Sequence, residues 1–160
     1  MKEYIIRVLH IFQYAFNEDL YWKRRARIQA WKGGAFSWIC LFLVRRTESI
    51  KCANTGTGPN GNCCYIENRL NLPHGLNGII IARNVKIGSN VTIYQHVTIA
   101  ESDRSKYTIV EDDVMIGAGA VILNNVRIGQ GAKIGANAVV TIDVPSGATA
   151  VGVPAKIIKQ

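Results

Sequence analysis

The sequence predicts a mainly β protein, a parallel β-helix built of hexapeptide coils behind a short helical N-terminal segment. Three observations carry this expectation. An apolar residue recurs every six positions at Ile81, Ile87, Ile93 and Ile99, and after one interruption at Val110, Ile116, Ile122, Ile128, Ile134 and Val140. A small apolar residue stands four places on, at Val85, Val91, Val97, Val114, Ala120, Val126, Ala132, Ala138 and Val144. The fourth place of each hexad holds Asn84, Asn90, His96, Asp113, Gly119, Asn125, Gly131, Asn137 or Asp143. Those residue types best tolerate a left-handed backbone conformation. A hexapeptide period is the signature of a parallel β-helix. Each hexad is one flat face with its β-branched residue inward, the Asn/Gly/Asp position turns a corner, and three hexads close a triangular coil.

The elements before the repeat follow from local signals. Residues 2–16 read as a helix, Asn17 as the cap of a second helix running through Ile28, and Ala35–Arg46 as a third. The cluster Thr55-Gly-Thr-Gly-Pro-Asn-Gly61 breaks regular structure and marks a join. Ile66, Leu70, Leu72 and Leu76 already keep the hexad spacing, so the prism starts near Ile66. The expected division is a basic helical segment over 1–55, a β-helix domain over 56–150 and a C-terminal tail over 151–160. At 160 residues the chain is one main domain, large enough for a core without staples.

Charge is uneven. Residues 1–51 carry ten Lys/Arg against four Asp/Glu, a net of +6, whereas residues 52–160 carry nine against seven, a net of +2. No nucleic-acid-reading motif accompanies the basic run Trp22-Lys-Arg-Arg-Ala-Arg27, so nucleic acid is not an expected partner. Two readings of residues 1–50 stay open: helices packed on the prism and its neighbours, or contact with an anionic membrane surface through Trp22, Trp31, Trp38 and the Ala35–Val44 run. That run is too short to span a bilayer, and charges at Lys2, Glu3 and Arg7 argue against a secretory signal. Cys40, Cys52, Cys63 and Cys64 form no C-x-x-C pair and read as reduced thiols. The expected location is cytoplasmic, extending to the inner face of the membrane.

Function is sought where the period breaks, because insertions in such coils form loops that often bind ligands. One break, between Leu72 and Ile81, contains Pro73-His74-Gly75-Leu76-Asn77-Gly78. The other, between Ile99 and Val110, contains Glu101-Ser-Asp-Arg-Ser-Lys-Tyr107. Their leading edges are 27 residues apart, which places both at one end of the prism.

Particular stretches carry a family resemblance: His74-Gly75 followed by Ile79-Ile-Ile81, Gln95-His-Val-Thr-Ile99, Val114-Met-Ile-Gly-Ala-Gly-Ala120, Gly131-Ala-Lys-Ile-Gly-Ala136, and Val151-Gly-Val-Pro-Ala-Lys-Ile157. With these, residues 66–158 resemble the hexapeptide-repeat acyltransferases, and most of all the serine acetyltransferase branch. The resemblance implies a left-handed helix, a homotrimer with active sites between neighbouring prisms, and acetyl-CoA as co-substrate without a metal. It gives His74 the role of general base, which suits an imidazole whose ordinary pKa lies near working pH. Acceptor binding goes to His96, Asp103 and Arg104, with the corner conformation alone as the competing account of His96. Coenzyme A binding goes to Ala118, Gly119 and Ala136 along the groove, with Lys133 and Lys156 as phosphate partners. Zinc hydration chemistry on such prisms needs three histidines, and only His74 and His96 lie in the repeat.

The chain departs from the serine branch in three places. The upstream aspartate of that branch falls on Pro59, the acidic residue before its histidine on Pro73, and its second histidine on Ser105. Glu67, Glu101 or a backbone carbonyl is left to orient His74. Compact members of the family modify bacterial surface polysaccharides. The expected reaction is therefore acetyl transfer to a sugar hydroxyl of such a polysaccharide or its precursor. O-acetylation of L-serine is the alternative, and a non-catalytic scaffold a third reading.

Overall fold

A computed structural model describes residues 18–31, 33–51, 53–56, 63–100, 106–123 and 125–159. The expected first helix over 2–16, the cap Asn17, Pro59, Asp103, Arg104 and Ser105 lie outside these residues. Two helices come first. Helix α1, Glu18–Gln29, begins with Glu18 and Asp19 and ends with Arg27, charges that complement its dipole. Helix α2, Gly34–Ile50, starts from Gly33 at φ 72° and ends at Lys51. It runs four residues past the expected Arg46. Its buried stripe Ser37, Cys40, Leu41, Val44 continues to Glu48, whose burial a polar residue does not announce.

The helices bury Tyr21, Trp22, Arg25 and Ile28 of α1 and the α2 stripe against each other and against the start of the prism. A polar network joins the three parts. The Arg25 guanidinium is 2% exposed and donates to Thr55 Oγ1 (3.3 Å), Gln29 Oε1 (3.1 Å) and the carbonyls of Thr55 (3.3 Å) and Cys64 (2.9 Å). Glu48 accepts from the Tyr21 hydroxyl (3.0 Å), the Thr55 N–H (3.1 Å) and the Thr55 hydroxyl. One arginine of the basic run is thus interior.

Among the described residues thirteen short strands follow on three faces. The first face stacks β1 (Tyr65–Ile66), β3 (Val85–Ile87), β6 (Thr108–Val110) and β9 (Arg127–Ile128). The second stacks β4 (Thr92–Ile93), β7 (Met115–Ile116), β10 (Lys133–Ile134), β12 (Thr149–Val151) and β13 (Lys156–Lys159). The third stacks β2 (Ile80–Ile81), β5 (Thr98–Ile99), β8 (Val121–Ile122) and β11 (Val139–Val140). All pairings are parallel except β12 with β13, and the architecture is a left-handed parallel β-helix. Registers align the hexads, as in Ile81 with Ile99 and Ile122, or Ile87 with Val110 and Ile128. Every hexad isoleucine from Ile81 to Ile134 is at most 2% exposed, and the small residues fill the corners beneath.

Three details differ from the sequence reading. Asn54 already bridges to Ile80, so the prism begins twelve residues before Ile66. The last hexad is truncated. Val144 bridges to Ile128 and so occupies a face position, and the next left-handed corner is Gly147. Asp143 is therefore no left-handed corner, and its carboxylate instead accepts from the Arg127 N–H (2.7 Å). Asn84 also lacks positive φ. The loop after Ile99 displaces the corner above it, and Thr108 N–H bonds the Asn84 carbonyl in its place (3.0 Å). Apart from these, the tail is structured from 151 to 159, returning as β13 along β12.

Candidate active site

The chain passes from first to second to third face, so each edge of the prism collects residues one coil apart. The edge between the second and third faces is the most regular. Gly78, His96, Gly119 and Asn137 turn it at φ 65°, 58°, 68° and 56°. Each upper corner donates its N–H to the carbonyl preceding the corner below: His96 to Asn77 (3.0 Å), Gly119 to Gln95 (3.0 Å), Asn137 to Ala118 (2.8 Å). The lowest, Gly78, donates instead to the Lys51 carbonyl at the end of α2 (3.0 Å). The helical segment therefore fastens the base of this edge.

The first insertion opens on this edge, between Asn71 of the second face and Ile80 of the third. Leu72 and Leu76 are buried and pin it, Gly75 turns at φ 64°, and the Asn77 side chain donates to the His74 carbonyl (2.8 Å). His74 is left exposed at the loop's crest, with its ring 5.8 Å from that of Tyr94 one coil up. The His96 ring lies directly over Gly78: a Cβ there would stand 2.1 Å from its Nδ1. His96 and Asn137 adopt the same positive φ, so it is this contact that favours glycine at 78: any side chain there would have to displace the His96 ring. His96 takes the left-handed corner expected of it, and its ring also borders the His74 loop.

Further along the same edge, Ala118 and Gly119 sit one coil above His96, and the exposed Ala136 one coil above them. At about 4.8 Å per coil, some 14 Å separates the His74 loop from Ala136 along the edge. Neighbouring coils approach closely here, since a Cβ on Gly117 would meet Ala136 N at 2.6 Å. The result is an accessible strip of backbone and small side chains along this edge. Lys133 and Lys156 are exposed on the second-face sheet, in β10 and β13 with β12 between them, beside rather than on the edge.

The second insertion, by contrast, opens on the edge between the third and first faces, after Ile99. The two insertions share an end of the prism, bracketing the adjacent strands β2 and β5, but flank opposite edges of the third face. Within one chain the structure thus brings together His74, His96, Ala118, Gly119 and Ala136. Glu67 follows β1 at the corner between first and second faces, an edge away from His74, so it does not orient that ring in the same chain. Among the described residues no group of three or more His, Cys, Asp or Glu side chains converges.

Two residues have no role in the sequence reading, although Gln95 opens one of its motif stretches. Tyr94 packs on His74, and the buried Gln95 Oε1 has no hydrogen-bond partner among the described residues. Both precede the His96 corner, and for Tyr94 only that adjacency marks it.

Comparison with known proteins bears on this arrangement. Residues 107–141 match the family model for the bacterial transferase hexapeptide, six repeats. A serine acetyltransferase of Bacillus licheniformis is 40% identical over 123 residues, covering 75% of this chain and 56% of its own length. One from Staphylococcus aureus is 43% identical over 98 residues, 59% of this chain and 46% of that protein. The chain spans about half the length of the relatives it matches. Among solved structures, a serine acetyltransferase in complex with CoA aligns with a TM-score of 0.69 at 32% identity, over 87% of this chain and 54% of that one. Soybean serine acetyltransferase complexed with serine aligns with a TM-score of 0.68 at 33% identity, over 84% and 54%.

Proposed function

We propose that this chain, a hexapeptide-repeat acyltransferase of the serine acetyltransferase-like branch, transfers acetyl from acetyl-CoA to an acceptor hydroxyl. The observation that carries the reading is the edge itself: exposed His74 at the start of a strip of small residues and backbone, with His96 one coil above. His74 takes the proton of the acceptor hydroxyl as its oxygen attacks the thioester carbonyl. The tetrahedral intermediate collapses by breaking the C–S bond, and the coenzyme A thiolate leaves, gaining the proton from the imidazolium. The pantetheine arm lies along Ala118, Gly119 and Ala136, where the missing side chains let it approach backbone groups. Lys133 and Lys156 face the phosphates, and a neighbouring prism of a homotrimer supplies the other wall.

Of the two acceptors read from the sequence, L-serine now stands first, since the similar proteins are serine acetyltransferases and one similar structure holds serine. Arg104 suits a carboxylate and Asp103 an ammonium, and His96 at the loop base closes the acceptor side. A sugar hydroxyl remains the second reading on one specific ground, the presence of Pro73 and Ser105 where the serine branch carries an acid and a histidine. An assay of coenzyme A release with a thiol-reactive dye separates the two. L-serine alone should raise release well above the acetyl-CoA blank. Release with nucleotide sugars or oligosaccharides but not with serine would reverse the order, and no release with either would remove the enzyme reading.

A further inference from the structure

We propose that the outward face of α2 is a docking surface for an anionic lipid bilayer, on which the helix lies rather than spans. The burial pattern separates two sides of this helix. Ser37, Cys40, Leu41, Val44 and Glu48 face inward, whereas Phe36, Trp38, Ile39 and Phe42 are 56%, 56%, 53% and 63% exposed. Four large apolar side chains within seven residues of one short helix exceed the scattered exposure of an ordinary surface. Their setting is basic. The Arg27 guanidinium lies 4.2 Å from the centroid of the Phe36 ring, and Lys23, one turn before Arg27 in α1, and Arg46, one turn after Phe42 in α2, are exposed. The only acidic residue of α2, Glu48, points inward and is engaged by Tyr21 and Thr55.

An apolar patch ringed by cations selects its occupant. A second copy of the same face would set Arg27 and Arg46 against their own equivalents, a like-charge juxtaposition that opposes association. An anionic interface satisfies both components: aromatic side chains enter the headgroup boundary and the cations meet phosphate. Trp38 stacks edge-to-face on Trp31 at 5.4 Å, which gives the patch the amphipathic indole pair favoured at that depth. No described helix is long and apolar enough to cross a membrane, consistent with an in-plane helix. The inference does not depend on the acceptor. Because the Lys51 carbonyl at the end of α2 holds Gly78, docking would bring the His74 edge close to the lipid surface.

The test is co-sedimentation of the full chain with vesicles of phosphatidylcholine alone or mixed with phosphatidylglycerol. The expected result is at least a ~10-fold stronger partition onto the anionic vesicles, falling as salt is raised. Phe42→Ser and Arg46→Glu should each lower that partition about 10-fold without changing the thermal midpoint, since both residues are exposed. Equal partition onto both vesicle types overturns the proposal. So does failure to bind either type, in particular when Phe42→Ser instead changes the sedimentation coefficient of the lipid-free protein, which would identify the face as a contact between copies.

Discussion

Replacing Arg25 with leucine should destabilise the protein far more than a residue from a run of surface-like basic residues would suggest. The guanidinium is 2% exposed and donates to Thr55, Gln29 and Cys64, with Nη2 also 2.8 Å from the Cys64 sulfur. Its removal leaves the Thr55 and Cys64 carbonyls short of donors. It also removes one of the two buried charged side chains, Arg25 and Glu48, that share the Thr55 hydroxyl. Leaving several buried acceptors short of donors at once costs about 3–5 kcal/mol. For a chain of this size that lowers the thermal midpoint by roughly 6–20 °C. Arg25→Leu combined with Glu48→Leu should cost less than the two single losses added together, because both side chains bond the same Thr55 hydroxyl. Thermal and urea unfolding at one fixed protein concentration measure both quantities, since assembly would otherwise shift the apparent stability. A single-variant cost below about 1 kcal/mol, or strict additivity in the double variant, would refute the interior network.

Four further outcomes follow from the surroundings of named residues. Burial pushes the Cys64 thiol from 9.0 up to about 11, and burial, followed by the Glu48 charge, pushes Tyr21 well above its ordinary value. Both groups ionise more readily in the unfolded chain, so stability is full below about pH 9 and falls as pH rises towards 11; a flat unfolding midpoint across that window would contradict their burial. Gly117→Ala should cost about 2 kcal/mol or more, because its Cβ meets backbone atoms at 2.6–2.9 Å that cannot swing away. Gly131→Asn should be nearly neutral by the same unfolding assay, since nothing lies within 4 Å and Asn90 and Asn125 hold the same corner conformation. His96→Asn keeps the corner and should leave the midpoint within about 0.5 kcal/mol of its original stability. If His96 touches the acceptor, that variant raises the acceptor KM and leaves the acetyl-CoA KM unchanged; an unaltered acceptor KM would reduce His96 to a corner residue.

What the sequence disclosed, and what it did not, has a physical basis. The faces were legible because each repeats one requirement, a β-branched side chain inward, and Ile81 through Val140 meet it without exception. Most corners were legible because left-handed backbone restricts residue type, and Asn90, His96, Asp113, Asn125 and Asn137 all adopt it. Asn84 and Asp143 satisfied the same composition yet took other conformations, since a loop above one and a truncated hexad above the other removed the corner itself. Which edge each insertion occupies depends on counting faces from a starting coil that the period does not mark. The burial of Arg25 and Glu48 was hidden for another reason: polarity predicts exposure, and only tertiary partners thirty or so residues away reverse it. At the candidate site, His74 stood out through its motif. The Tyr94 ring against it is a contact between successive coils, which no local pattern encodes.

The central claim is that the edge carrying His74 performs acetyl transfer from acetyl-CoA. Its most direct test is kcat/KM for coenzyme A release by the unaltered protein and by His74→Ala, with acetyl-CoA and L-serine, alongside acetyl-CoA binding by each. The account predicts a loss on the order of 10²–10⁴-fold in turnover with acetyl-CoA affinity and thermal midpoint essentially unchanged, because His74 is exposed and acts on the acceptor proton. Undiminished turnover in the variant would contradict it.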